Sequence, residues 1–230
     1  MSASPAEKPA GLSVFFPAYN DSGTIGSMVI RTVKAASELT PDFEIIVVDD
    51  GSADSTAEIA DELARTYPQV RAVHHPQNRD YGAALRTGFH SATKELIFYT
   101  DGDAQYDPAE IALLWPKMTR DVDCDFRLMR REIFDRINLE KTSGIICVEM
   151  MKKIQDAGFR IVEVPVHHFH RAFGKSEFFN YRRLIRTARD LTLLWFQLVV
   201  RREHMRAGVT PLTRTPADPA NRIYPSPPRP

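Results

Sequence analysis

Two carboxylates separated by one glycine, Asp101-Gly102-Asp103, carry the most pointed chemistry in this 230-residue chain. They follow the hydrophobic run Glu95-Leu-Ile-Phe-Tyr-Thr100, which has the composition of a buried strand. They precede Asp107-Pro108-Ala-Glu-Ile111, a helix start with Asp107 as N-cap and Pro108 at the first helical position. In extended chain, residues i and i+2 point the same way, about 6–7 Å apart. With Gly102 relaxing the backbone between them, both carboxylates can reach one hard divalent cation. Alone, Asp-x-Asp is equally an ordinary polar turn. A second acidic strand end changes the weight: Phe43-Glu-Ile-Ile-Val-Val48 runs into Asp49-Asp50-Gly51-Ser52.

Carboxylates beside a nucleotide have two uses. Asp49, Asp50 and Asp54 suit hydrogen bonding to ribose hydroxyls and base N–H groups, with Gly51-Ser52 supplying a tight turn and backbone donors. Asp101 and Asp103 suit holding Mg2+ or Mn2+ against a diphosphate. Neither G-x-G-x-x-G nor G-x-x-x-x-G-K-[ST] occurs, which argues against a dinucleotide oxidoreductase and an NTPase. A metal held at acids in place of a glycine-rich cradle points to a nucleotide sugar.

The surrounding elements must bring these ends together. Leu12–Phe16 reads as a strand ended by Pro17-Ala-Tyr-Asn20, and Ser22–Leu39 as a helix with Ile25, Met28, Val29, Val33 and Ala36 on one face. Asp54 caps the next helix, Val70–His74 is a short strand, and Asp80–Thr93 is helical but relaxed by Gly82 and Gly88. Strand and helix alternate, so the first half is a doubly wound α/β unit with a mostly parallel sheet. Ligands of such folds bind outside the carboxyl ends of the strands. Here those ends are Pro17–Asn20, Asp49–Ser52 and Asp101–Gln105. The second half is less regular: a strand at Phe126–Met129, a helical turn at Arg130–Arg136, a helix from Gly144 to Ala157, a strand over Phe159–Val166 and a loop from His167 to Ser176. Residues 1–10 read as a disordered N-terminus without an apolar signal core, 11–177 as the main domain, 178–206 as an amphipathic helix and 207–230 as a disordered tail holding seven of sixteen prolines.

Lys plus Arg and Asp plus Glu both number 30, so bulk nucleic-acid binding is not expected. The distribution is uneven: residues 171–206 hold nine basic side chains against three acidic ones. The helix 178–206 carries Leu184, Ala188, Leu191, Trp195 and Leu198 as a stripe, widened by Leu193, Leu194 and Phe196 and flanked by arginines, a pattern that suits an anionic bilayer surface, packing on the domain itself or an oligomer contact. No segment approaches the ~20 apolar residues of a membrane span. Cys124 and Cys147 form no metal spacing, and a reducing compartment fits them. His167, His168 and His170 lack a patterned carboxylate; contact with phosphate at His170 or Arg171 is favoured over a transition-metal site. Glu149 stays open between a buried functional acid and a helix-surface residue.

Taken in order, Val14-Phe-Phe-Pro-Ala-Tyr-Asn20, Ile46-Val-Val-Asp-Asp-Gly-Ser-x-Asp54, Asn78 with Gly82 and Gly88, and Asp101-Gly-Asp-Ala-Gln105 resemble the inverting family 2 glycosyltransferases. Asp121-Val-Asp-Cys-Asp-Phe-Arg-Leu128, Glu163-Val-Pro-Val166 and Arg171-x-x-Gly-Lys-Ser176 resemble the branch that charges dolichyl or other polyprenyl phosphates with a sugar. The resemblance covers about residues 12–185. It implies a GT-A-like fold and a metal-dependent transfer, with inversion, of a hexose from a GDP- or UDP-sugar to a polyprenyl phosphate. It implies a chain peripheral to the cytosolic membrane face. Transfer to a sugar or protein hydroxyl, or nucleotide binding alone, are the alternatives. It implies nucleoside contacts at Pro17, Ala18, Tyr19, Asp21, Asp49, Asp50, Gly51, Ser52, Asp54 and Gly82. It places Asp101, Asp103 and Gln105 at the metal, with Arg171, Lys175 and Ser176 near the phosphates and acceptor. Asp21 is a shorter acid than the family's usual choice.

One departure is large. The family separates the helix after Asp-x-Asp from the Asp-Val-Asp-Cys motif by a few dozen residues that add a strand and helical material beside the acceptor. Here Trp115-Pro-Lys-Met118 runs almost directly into Thr119-Arg-Asp-Val-Asp-Cys124. The expected consequences are a gap or exposed edge in the sheet and a weakened acceptor site.

Overall fold

The structure is a computed structural model and describes residues 10–117, 121–122, 126–170, 181–206 and 222–224. The chain opens with β1 (Leu12–Ala18), α1 (Ile25–Leu39), β2 (Phe43–Asp49), α2 (Thr56–Thr66), β3 (Val70–His74), α3 (Tyr81–Ser91) and β4 (Leu96–Tyr99). It continues through α4 (Ile111–Leu114), β5 (Asp121–Val122), β6 (Arg127–Arg130), α5 (Ile146–Asp156), β7 (Ile161–Val162), α6 (Tyr181–Trp195), α7 (Glu203–Arg206) and β8 (Arg222–Tyr224).

Six strands form one sheet in the order β6-β4-β1-β2-β3-β8. β4, β1, β2 and β3 are mutually parallel; β6 and β8 close the sides antiparallel. Side chains alternate across a strand. On one face of β1, Val14 and Phe16 pack with Ile45 and Val47 of β2 against Ile25 and Met28 of α1 and Ala60 of α2. On the other, Phe15 packs with Ile46 and Val48 against Leu85 and Phe89 of α3 and Met150 of α5. Helices on both faces of near-continuous apolar strands make the doubly wound α/β architecture expected of the pattern. A parallel arrangement puts the carboxyl ends of β1, β2 and β4 side by side: Ala18 lies opposite Asp49, and Phe15 opposite Tyr99.

Several boundaries differ from the expectation. The helix expected from Ser22 begins at Ile25, after a turn in which Asp21 carbonyl accepts from the amides of Thr24 and Ile25. The helix expected over 108–118 is a 3-10 turn (Pro108–Glu110), a single α turn and a second 3-10 turn from Trp115, because Pro116 has no N–H to continue the ladder. Of the strand expected over Phe159–Val166, Ile161–Val162 is the part that pairs among the described residues, with β5, and Pro165 cannot donate to a ladder. The tail expected to be disordered contributes Arg222–Tyr224, which pairs with Ala72–His74. The expected sheet gap does not open. β6 bonds directly to β4 over four register pairs and stands at the edge of the sheet among the described residues.

The basic helix packs through only part of its expected stripe. Leu194 and Leu198 are buried against Ile145, whereas Leu191 and Trp195 are exposed, Trp195 at 56%. After Trp195 the helix widens into a π turn over Phe196–Arg201 and ends at Arg202 in the left-handed region (φ 48°).

Candidate functional site

Asp49 ends β2 with 3% of its surface exposed. Its Oδ1 accepts from the Ser52 amide at 3.0 Å, and its Oδ2 lies 3.0 Å from His74 Nδ1. His74 ends β3 directly opposite Asp49, and its Nε2 lies 3.0 Å from Asp61 Oδ1 on α2. Burial by itself would raise the Asp49 carboxyl; the bonds from His74 and Ser52 outweigh it and hold the carboxyl below its ordinary range. Burial would likewise discharge His74, yet the bonds and charges of Asp49 and Asp61 hold its imidazole above the ordinary value.

The turn after Asp49 is built tightly. Gly51 has φ +69°, and a Cβ there would lie 2.4 Å from the Gln77 carbonyl carbon, so only glycine fits. Ser52 Oγ accepts from the Asn20 amide at 3.0 Å, and Asn20 Oδ1 accepts from the Ala53 amide at 2.9 Å, stitching the end of β1 to the end of β2. Asp54 accepts from the Ser22 and Thr56 amides and the Thr56 hydroxyl. Burial pushes its carboxyl up, but those bonds prevail and hold it low. Asp54 therefore fastens the start of α2 to the start of α1, while Ser55, the formal N-cap, makes no side-chain cap bond. Asp21 carboxylate accepts from the Tyr19 amide at 3.1 Å. Pro17 and Ala18 are buried and Tyr19 is 38% exposed, so Tyr19 is the ring of this trio presented at the surface.

Asp50 and Gly82, both expected at the nucleotide, are turned into the protein. Asp50 accepts from the Arg79 amide at 2.9 Å and from His75, whose other nitrogen lies 2.9 Å from Thr87 Oγ1 on α3. Gly82 sits so close to the 142–143 backbone that a Cβ would lie 2.5 Å from the Thr142 carbonyl carbon. Both residues position α3: Asp50 is as buried as Asp49, but its carboxylate is engaged by the Arg79 amide and His75. Successive strand residues face opposite ways, so the first acid of the pair turns toward one side of the sheet end and the second toward the other.

The first turn of α3 reaches the other acidic end. Tyr81 hydroxyl donates to Asp101 Oδ1 at 2.7 Å. Burial, then the Asp101 charge, push the phenol well above its usual value, so it remains a donor. Asp103 is 3% exposed and its Oδ1 accepts from the Gln105 amide at 3.1 Å, across Ala104 at φ 60°. Gln105 carbonyl accepts from the Phe169 amide at 2.8 Å, and its side-chain nitrogen lies 3.2 Å from His168 Nε2. Two residues earlier, His167 bonds to Glu110 through its amide and its ring. The chain entering the basic loop is thus pinned to the Asp-x-Asp turn. Arg171, Lys175 and Ser176 lie outside the described residues.

Among the described residues no three His, Cys, Asp or Glu side chains converge as a metal cage. The donor set nevertheless fits Mg2+ or Mn2+: two carboxylates and an amide oxygen are hard ligands, and such ions take one or two protein carboxylates with substrate phosphate and water completing the shell. Glu149 resolves into neither expected option. It is 1% exposed, accepts from the Glu140 and Lys141 amides, and pairs with Lys153 Nζ at 2.8 Å. It braces the 138–141 loop that leads to Thr142 and so to Gly82. The sequence reading missed His74, Asp61, His75, Thr87 and Tyr81. The alternation of β3 offered a signal for His74, but only the β2–β3 register puts it against Asp49.

Solved structures share this fold. Glucosyl-3-phosphoglycerate synthase from Mycobacterium tuberculosis, in complex with Mn2+, UDP and glucosyl-3-phosphoglycerate, superposes with a TM-score of 0.64 at 17% identity, over 82% of this chain and 79% of that one. Mannosyltransferase PcManGT from Pyrobaculum calidifontis, in complex with GDP-Man and Mn2+, gives 0.63 at 20% identity, over 91% and 70%. Both support the GT-A-like fold. Glycosyltransferase AglD of Haloferax volcanii is 28% identical over 237 residues, covering 83% of this chain and 38% of AglD. The undecaprenyl-phosphate 4-deoxy-4-formamido-L-arabinose transferase of Enterobacter sp. is 29% identical over 221 residues, covering 78% and 66%. This chain thus spans less than two thirds of either relative. Both alignments are longer than the stretch of this chain they cover, which agrees with a segment shortened here. The profile described as Glycosyl transferase family 2 matches residues 13–182, from β1 through the basic loop and across both acidic strand ends, and the chain belongs to that family.

Proposed function

We propose that the chain transfers a hexose, with inversion, from a GDP- or UDP-sugar to a polyprenyl phosphate at the cytosolic face of a membrane. The observation that carries this reading is the convergence of two acidic strand ends on one sheet edge: Asp49 beside Ala18, and Asp101 held by Tyr81 from α3. Asp49, ionised and held by the Ser52 amide and His74, accepts an N–H of the base, with Tyr19 exposed just past the neighbouring end of β1. Asp101, Asp103 and Gln105 hold Mg2+ or Mn2+, which when bound neutralises charge on the departing nucleoside diphosphate. Arg171, Lys175 and Ser176 follow directly from the loop pinned to Gln105 and serve the phosphates and the acceptor. A phosphate acceptor is already ionised at neutral pH, so attack on the anomeric carbon requires no strong general base.

The acceptor class is supported by the undecaprenyl-phosphate transferase relative and by the surface of α6 and the following turn. Leu193, Trp195, Phe196 and Val200 are exposed there with Arg189, Arg201 and Arg202, a combination suited to an anionic lipid surface. Among the described residues no helix is long and apolar enough to cross a membrane. The test is purified chain with Mn2+, UDP- or GDP-hexose, and a polyprenyl phosphate in vesicles, following nucleoside diphosphate release and lipid-linked sugar. Sugar on a hydroxyl acceptor in place of the lipid would overturn the acceptor assignment. A second reading rests on the short connection after α4: a chain that binds nucleotide and metal but turns over lipid slowly. Grafting a family-typical segment between Met118 and Thr119 separates the two, because only the second predicts a gain in turnover.

A further inference from the structure

We infer that His74 is a positioning residue for base recognition, acting as an imidazolium clamped between Asp49 and Asp61. The inference rests on the reading that Asp49 takes the base. Each ring nitrogen of His74 lies 3.0 Å from a carboxylate oxygen, Nδ1 from Asp49 and Nε2 from Asp61. An ionised carboxylate only accepts hydrogen bonds. A neutral imidazole has one N–H and one lone pair, so it would set that lone pair against one of the two acids. Only the doubly protonated ring satisfies both.

The consequence falls on Asp49. Its exposure is 3%, and burial favours the protonated acid, which would aim an O–H at the N–H of a base. The imidazolium keeps the carboxyl ionised, and the Ser52 amide fixes its other oxygen at 3.0 Å. A carboxylate has about four acceptor positions, so two bonds leave room for a base N–H. The site therefore selects bases that present an N–H to an anion, as the imide of uracil and N1–H of guanine do. Among the described residues, Asp49 on β2 and Asp61 on α2 pair with His74, and the β8 backbone sets position 222 opposite it in register.

The experiment uses the full chain. Nitrogen-15 NMR of His74 at pH 7 is expected to show both ring nitrogens protonated; a neutral tautomer overturns the inference without any variant. Calorimetry then compares His74→Gln with the parent for uridine, guanosine and Mn2+ with inorganic pyrophosphate. About a tenfold loss for the nucleoside is expected, the effect of one charge-assisted bond, with pyrophosphate affinity unchanged. Equal losses for both ligands would show a merely structural role. Asp49→Ala is the control on the underlying reading. If it leaves nucleoside affinity intact, Asp49 does not hold the base and both ideas fail. If it lowers affinity while His74→Gln does not, only the role of His74 fails.

Discussion

Tyr81→Phe removes one oxygen atom and leaves the ring in place, which isolates the bond that holds Asp101. The hydroxyl donates at 2.7 Å to an ionised acceptor, a class of hydrogen bond worth about 1.5–3 kcal/mol. Asp101 is partly exposed, so water replaces part of the lost bond and the lower end applies. A competing effect must be weighed: losing the hydroxyl also frees Oδ1 for a cation. Each carboxylate oxygen accepts two bonds, so hydroxyl and cation do not exclude each other and the freed position gains little. The carboxylate, less restrained without the hydroxyl, must instead be ordered when the metal binds, at about 0.5–1 kcal/mol of side-chain entropy. The bond is present with and without the cation, so its own energy cancels, and the net expectation is the ordering cost, about 0.5–1 kcal/mol or roughly two- to fivefold weaker Mn2+-dependent binding of nucleoside diphosphate. Calorimetry with UDP and GDP, with and without Mn2+, measures it, alongside a thermal melt to show that Tyr81→Phe folds. Metal-dependent affinity equal to the parent in a folded variant would refute the claim that α3 orders the metal end.

Asp101→Ala and Asp103→Ala are each expected to abolish the Mn2+-dependent part of nucleotide binding while leaving the metal-free affinity near the parent's; calorimetry on both variants reads this. Gly51→Ala forces a Cβ into the Gln77 backbone at a left-handed residue and is expected to cost at least about 2 kcal/mol in urea unfolding, with nucleoside affinity falling in parallel. Glu149→Gln removes the anion 2.8 Å from buried Lys153, leaving Glu140 at 4.0 Å, and is expected to lower stability by about 3 kcal/mol by the same measurement. The Asp49–His74 pair sets a pH window. Asp49 is lowered from its ordinary 3.8, so its contribution is present above that value and lost as pH falls through the folded value. His74 is raised from 6.5, so its contribution is complete below 6.5 and lost as pH rises through the folded value. The stability difference between parent and His74→Gln should therefore peak between about pH 4 and 6.5 and shrink on both sides; a difference independent of pH would contradict the ion-paired geometry.

Much of this protein was legible from its residues because the signals are local. The apolar β-branched runs at Val14–Phe16 and Ile45–Val48 can be buried on both faces only in a parallel sheet covered by helices. That alone puts Asp49 and Asp101 at carboxyl ends facing one edge. Gly51 announced a turn that no other residue could make. What tertiary structure decided was which acid does what. Asp49 and Asp50 are adjacent and chemically alike, yet one meets His74 and the other His75, because the β2–β3 register and α3 sort them to opposite sides. Tyr81 reaches Asp101 across 20 residues through the packing of Gly82 on Thr142, a contact with no local signature. The amphipathic stripe of α6 and the following turn was legible, but only tertiary packing decided that Leu194 and Leu198 are the part of it buried against Ile145, while Leu191 and Trp195 stay exposed. Spacing reports faithfully on what a strand or helix does by itself; partners set by register and long-range packing have no trace in spacing, and they determine the chemistry here.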